Sequence, residues 1–429
     1  MKKLINLMVL SVFFGTQILA LNIGFKLSLY RILFLAVACV FSVMLLNNDE
    51  RVRFYPRKVS SLYTLFYGWW VLYSLLSIFW AQSMAGWIKA NIFVGIGAIS
   101  ILFIHTFVKE KRDLLRIFKC IVLGVCMHIG LGVLELLTGK YFWASEHFIT
   151  KYQPGSKNFF TRIPISIYPN QNDYATVLLM GTFFMIILFR DSKKLVKKVF
   201  YLIAWLISVF LINQTDSRAN MLALFIGLSA MLFVYLTPLI TRKMVLVSST
   251  FVASVALLIV GISSSVRTQV FGLLQMFSVN HEFGGTSNEM RVNLIRNGFV
   301  FLKDTLGFGV GAGNIEYWMK NEPPYQTGGI SNMHNWWMEI LTAYGIGQFV
   351  LYLMVYIAMV LQAYKYYRRS RDYFIRQTSL AIIGFLSAYT LSSISSASNI
   401  INEWQWLIFG IIIAFFSYCE RQGESQQLL

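Results

Sequence analysis

Stretches of apolar residues long enough to cross a lipid bilayer dominate this chain and restrict what it can fold into. A helix needs about 20 predominantly apolar residues to span the hydrocarbon core. Twelve stretches of that order occur, near residues 4–21, 28–46, 62–80, 87–108, 114–137, 173–190, 195–213, 217–237, 244–262, 334–361, 377–397 and 402–419. With 57% hydrophobic and 13% charged residues, the chain lacks the polar surface of a water-soluble domain. Inside lipid every backbone N–H and C=O must find its partner within the chain, which favours helices. The sequence therefore predicts an all-α integral membrane protein with about 12 transmembrane helices, forming one polytopic domain over residues 1–429. The first stretch, MKKLINLMVLSVFFGTQILALN, also carries the basic start and apolar run of a signal peptide. Its length and the spans behind it favour a retained helix.

The net charge of +18 would suit a nucleic-acid surface, but its placement points to topology instead. Lys and Arg concentrate in alternate connections: RVRFYPRK (51–58), KEKRDLLR (109–116), RDSKKLVKK (190–198), RK (242–243) and YKYYRRSRDYFIR (364–376). Together with Lys2 and Lys3 these put both termini and the basic loops in the cytoplasm by the positive-inside rule. The partner implied by the charge is anionic membrane lipid, not nucleic acid. Cys39, Cys120, Cys126 and Cys419 all fall within spans, so neither a disulfide framework nor a metal cluster is predicted.

Two outer connections are long, residues 138–172 and 263–333. They mix aromatic and charged residues with Gly and Pro, which suits a working surface better than a disordered linker. In the larger loop, SNEMRVNLIRNGFVFLKD repeats Val292, Ile295, Phe299 and Leu302 at three- and four-residue spacing. This predicts an amphipathic helix lying parallel to the membrane or against the bundle. Glycines at 307, 309, 311 and 313 follow; with no strand before them they read as a compact turn, not a nucleotide loop.

The polar residues of the outer rim are the candidates for chemistry. Arg218 opens the eighth span and Arg291 stands early in the loop helix. Each could simply snorkel into headgroups, but together they offer two permanent guanidinium forks suited to phosphate oxygens. His334, followed by Asn335, Trp336 and Trp337, opens the tenth span where an interfacial aromatic belt belongs. A histidine titrating near neutral pH is the commonest general base. Asp216, Asn172, Asn335, Arg296 and Glu339 complete the candidate substrate-binding set, with Glu339 second to His334 as a base. His105, His128, His147 and His281 have no comparable neighbours. A transporter is the chief rival reading, because it too would be polytopic; ionisable groups at span centres would mark it, and here they crowd at the rim, with His128 the nearest exception.

Four segments resemble, in order, the blocks of the O-antigen ligase and Wzy-type polymerase superfamily: YPNQNDYATVLLM (168–180), TDSRANMLALFIGL (215–228), RVNLIRNGFVFLKDTLGFGVGAGN (291–314) and MHNWWMEILTAYGIGQFVLYL (333–353). The second departs from the usual pattern with Ala219 where glycine is common. The resemblance implies a GT-C-type helical fold and glycan transfer from undecaprenyl pyrophosphate on the outer face of the cytoplasmic membrane. It makes Arg218, Arg291 and His334 the essential residues, with no metal and no cofactor. The implied partners are the lipid-linked oligosaccharide, membrane lipid, a flippase and a chain-length regulator. Polymerase and ligase share these blocks, so the acceptor stays open; the basic outer loops favour a polymerase with two lipid-linked substrates over a ligase.

Overall fold

The computed structural model describes residues 1–22, 26–52, 58–143, 158–237, 287–395 and 400–427. Among these, helices dominate, and eight are long and apolar enough to cross a membrane. They are α3 (Leu29–Leu46), α4 (Val59–Leu76), α5 (Met84–Phe107), α6 (Lys111–Thr138), α7 (Gln171–Asp191), α8 (Leu195–Gln214), α9 (Arg218–Leu236) and α12 (Trp336–Arg369). The chain is a multi-pass membrane protein. The predicted spans at 377–397 and 402–419 are also helical, as α13 (Tyr373–Ser392) and α14 (Glu403–Gln427). The predicted span at 244–262 and the loop histidines His147 and His281 lie outside the described residues.

The first predicted span is not one continuous helix. α1 (Lys2–Ser11) passes through a 3-10 turn into the short α2 (Gly15–Ile18), where Gly15 takes a positive φ of 56°. A small antiparallel hairpin follows, β1 (Ala20–Asn22) pairing with β2 (Lys26–Ser28). Helix starts are fixed by side-chain caps that satisfy orphan N–H groups: Ser28 for α3, Ser83 for α5, Asn170 for α7, Asn335 for α12 and Asp372 for α13.

Small residues set the closest crossings. A Cβ on Gly227 of α9 would meet the Gly384 carbonyl of α13 at 2.6 Å and the Phe183 ring of α7 at 2.6 Å. Backbone contact of this kind replaces the hydrophobic force that lipid cannot supply. The serine-rich end of α13 also has α9 as its neighbour, Ser392 bonding Asn220. α14 runs along α5 and is buried almost throughout, from Trp404 to Cys419.

The large loop contributes α10 (Ser287–Asp304) and α11 (Ile315–Asn321). The predicted loop helix exists, but its inward stripe differs from the apolar one. Leu294, Asn297 and Phe301 are fully or almost fully buried, whereas Phe299 is 54% exposed. The reason is polar anchoring: Asn297 exchanges two hydrogen bonds of 2.9 Å with the backbone of Tyr325, and Asn293 donates to the Gln326 carbonyl at 2.8 Å. Between these anchors Gly298 lies close to Thr342, Met333 and Met338, which brings α10 onto α12.

The glycine string is a compact turn, as its sequence predicts, and it completes a break in α12. Gly307, Gly309, Gly311, Gly313 and Gly345 all have positive φ. At Gly345, with φ 79° and ψ −179°, the helix interrupts itself. The carbonyls of Thr342 and Ala343 lose their helical partners there and accept instead from Val310 and Gly311 N–H, both at 2.9 Å. Ile346 N–H in turn donates to the Gly307 carbonyl at 2.9 Å. The turn thus recovers three of the groups that the break would leave unpaired, as backbone at a membrane boundary requires.

Candidate active site

The starts of three helices meet around the C-terminal end of α13, joined by a buried polar network. Asn220, in the first turn of α9, is its centre. The hydroxyls of Thr176 and Ser392 converge on Asn220 Oδ1 at 3.1 and 2.5 Å. Its Nδ2 donates to Ser217 Oγ at 2.9 Å and reaches Ser395 Oγ at 3.2 Å. Ser217 Oγ donates to Asn172 Oδ1 at 2.7 Å, so the start of α7 is tied to the start of α9. Trp336 N–H donates to the Ser393 carbonyl at 3.0 Å and Trp337 Nε1 to that of Thr390 at 2.9 Å, which adds the start of α12. Buried polar groups are costly unless paired; here nearly every member has several partners, so the positions of the three starts are tightly specified.

Arg218 is the first residue of α9 and is exposed. Asp216, two residues earlier, has φ 52° and its carbonyl accepts from Arg218 N–H at 3.1 Å. This turn directs the chain into α9. Arg291 is half-buried in the second turn of α10. Among the described residues neither guanidinium is taken up by an ion pair or hydrogen bond. That leaves both forks available to an external anion. Arg296, by contrast, bonds Asn293 Oδ1 at 3.4 Å and lies 5.5 Å over the Tyr325 ring, which makes it part of the packing of α10.

His334 is half-buried and holds φ 49°, a left-handed conformation that costs a non-glycine residue roughly 1 kcal/mol. The strain is imposed from behind. Asn335 Oδ1 accepts from Trp337 and Met338 N–H at 3.1 and 3.3 Å, fixing the start of α12. Trp336 is not an interfacial belt residue: it is 1% exposed, stacks on Trp70 of α4 with centroids 5.9 Å apart, and donates to Tyr352 at 2.9 Å. A rigid aromatic anchor therefore follows directly after the histidine.

The structure thus gathers Asn172, Asp216, Arg218, His334 and Asn335 around the end of α13. Arg291 comes in on a separate helix, α10, that packs on the same stretch of α12. Asn172 and Asn335 each commit their side-chain oxygen to holding a helix start. Glu339, on the first turns of α12, is 7% exposed and lines a cavity on that helix's side away from Trp337. Asn220, Ser392 and Ser395 were not read from sequence as site residues. The available signal for them was their polarity within apolar spans, which has no periodicity of its own.

A second buried cluster stabilises the other outer loop. Glu135 Oε2 accepts from Ile165 and Ser166 N–H at 2.8 and 2.9 Å, and Ser166 Oγ meets His128 Nδ1 at 2.9 Å. Burial, followed by the Asp173 carboxylate, pushes the Tyr168 hydroxyl above the usual phenol range. His128, whose location near a span centre would have suited a transport role, is accounted for by this anchoring.

Residues 202–353 match the family model described as O-antigen ligase. That segment contains Asp216, Arg218, Arg291, Arg296, His334, Asn335 and Glu339, and leaves Asn172 outside. Over almost its full length the chain is similar to the teichuronic acid biosynthesis protein TuaE of Bacillus subtilis (strain 168). The two are 29% identical over 428 residues, covering 98% of this chain and 85% of that protein.

Proposed function

We propose that this chain, a member of the O-antigen ligase family and a membrane polysaccharide polymerase or ligase of cell-wall glycan biosynthesis, is a polymerase of lipid-linked repeat units. Its substrate is an oligosaccharide on undecaprenyl pyrophosphate at the outer face of the cytoplasmic membrane. The fold is of GT-C type with twelve spans, both termini in the cytoplasm. The observation that carries this reading is the convergence of the Arg218 and His334 helix starts on one buried polar network. A common frame under both helix starts supports Arg218 as the phosphate-binding cation and His334 as the base.

In the proposed reaction an acceptor hydroxyl attacks the anomeric carbon of the donor sugar. His334 takes the hydroxyl proton as the new C–O bond forms. The bond from the anomeric carbon to pyrophosphate oxygen breaks, and the electron pair leaves with undecaprenyl pyrophosphate. Arg218 and Arg291 stabilise the charge that builds there, without a metal or a cofactor. A single displacement inverts the anomeric centre.

The lipid half of the substrate has a matching surface. An apolar groove of about 480 Å³ opens at Trp337, three residues from His334, and runs between α12 and α13 past Leu353 and Tyr356 to Leu361. Its walls suit an isoprenoid chain whose pyrophosphate would lie at the groove's mouth.

A transporter reading draws support from the broken helix at Gly345, because broken helices commonly line transport sites near the bilayer midplane. Length argues otherwise. Residues 346–363 alone rise about 27 Å, close to the roughly 30 Å hydrocarbon core. The break then lies at the membrane's edge, with His334 beyond it.

The test is an in vitro ladder. Purified protein is incubated with the host's undecaprenyl-pyrophosphate oligosaccharide as sole sugar substrate, and products are separated by length. Wild type should give a ladder. His334→Ala should lose about 10²–10⁴ in rate, and Arg218→Lys should fail to restore what Arg218→Ala loses, because lysine cannot bind bidentately. Transfer only after a different acceptor is added would identify a ligase. No transfer under any condition, with flipping of the lipid-linked sugar in vesicles, would replace the enzyme reading with transport.

A further inference from the structure

The cavity beside Glu339 is largely apolar but carries a few charged and polar groups, is open to the outside, and is bordered by Met333, the residue before His334. It measures about 110 Å³, small beside the roughly 300–1,000 Å³ of typical ligand pockets. That is room for one sugar ring, not a chain. Its polar lining is Lys89 from the first turns of α5, Glu316 from α11, Ser331 and Asn332 from the segment leading to His334, and Glu339 from α12. Phe93 and Ile401 supply apolar wall. Lys89 and Glu316 are exposed at the mouth, and neither is engaged in a hydrogen bond or ion pair among the described residues.

Its position follows from the geometry of α12. Trp337, which opens the lipid groove, and Glu339, which faces the cavity, are two residues apart on a helix turning about 100° per residue. They therefore project about 200° apart, onto opposite sides of the helix. The same half-helix separates the apolar groove from the cavity, and His334 lies just before its start, Asn335 being the N-cap.

We propose that this cavity is the acceptor subsite, taking the terminal sugar of the glycan whose hydroxyl is to be glycosylated. The inference rests on the transferase reading above. Carboxylates of Glu316 and Glu339 accept from sugar hydroxyls, the Lys89 ammonium donates to ring or hydroxyl oxygens, and Phe93 and Ile401 cover a C–H face. Ser331, Asn332 and Met333, which line the cavity, run straight into His334, so the cavity borders the segment that carries the candidate base. No group in the cavity resembles a pyrophosphate cradle: it holds two carboxylates to one ammonium.

The probe is the repeat-unit oligosaccharide freed from the host's own lipid-linked intermediate by mild acid, which can accept but cannot donate. Its binding to purified full-length protein in nanodiscs is measured by titration calorimetry. Wild type should bind it, and Glu339→Gln and Lys89→Ala should each weaken binding about tenfold, the scale of a lost hydrogen bond to a charged group. Lys89 is exposed, so its replacement does not endanger folding; Ser331→Trp, filling the mouth, should weaken binding too. Arg218→Ala should bind the oligosaccharide as wild type does, since it acts on the donor. Wild-type binding unaffected by Lys89→Ala and Ser331→Trp, or no binding at all, overturns the subsite even if the ladder assay succeeds. Binding with this mutational pattern in a protein that makes no ladder supports the subsite while the polymerase reading falls.

Discussion

At the scale of single residues, the site depends on groups that hold other groups in place. Asn220 illustrates this. As a polar residue in an apolar span it has no signature of function, yet five neighbours from α7, α9 and the end of α13 bond to its amide. Asn220→Ala would remove the shared acceptor and donor of the network, leaving Thr176 the Asn172 carbonyl and Ser392 only Thr176 as partners, and should cost about 1–3 kcal/mol. A lowered thermal midpoint of the detergent-solubilised protein, with glycan transfer reduced in parallel, is the expected result. An unchanged midpoint would mean that the network does not position the helix starts. Arg218, Arg291 and His334 were candidates in the sequence because of their residue types and their place in the segments that resemble the family blocks. The strain at His334 was not legible there, since φ depends on how Asn335 and Trp336 are anchored behind it.

At the scale of elements, the break in α12 and the glycine turn are one construction. The sequence shows a glycine string at 307–313 and, separately, an apolar run containing Gly345; nothing in either indicates that they meet. At Gly345 their meeting combines a positive φ with an approach to the 307–308 backbone that leaves no room for a Cβ, which only glycine allows. Gly345→Ala would place a methyl group against the backbone of Gly307 and Phe308 at a φ that alanine avoids. The variant should lose several kcal/mol and fail to accumulate in the membrane. Gly347→Ala is the control, because a Cβ there meets nothing within 4 Å; equal accumulation of both variants would contradict the construction. The stripe on α10 carries the same lesson. Hydrophobic spacing selected Val292, Ile295, Phe299 and Leu302, whereas the inward face is chosen by two asparagines that clamp the 325–326 backbone.

At the scale of the whole molecule, charge asymmetry makes a claim that can be checked directly. With the four native cysteines replaced by serine, Lys303→Cys on α10 should react with an impermeant maleimide in intact cells. Lys194→Cys, in the basic connection before α8, should react only after permeabilisation. The reverse pattern would invert the topology and move the candidate site to the cytoplasm. What the sequence by itself determined is the membrane class, most of the helical spans and the identity of the rim residues, because these depend on local hydropathy and residue type. Only the tertiary structure decided the convergence of three helix starts on the end of α13, the break at Gly345, and the opposition of groove and cavity across α12. Those features arise from contacts between segments separated in sequence, such as Ser392 with Asn220 and Ile346 with Gly307. Local patterning cannot encode them, because the same apolar spans satisfy lipid equally well in many arrangements.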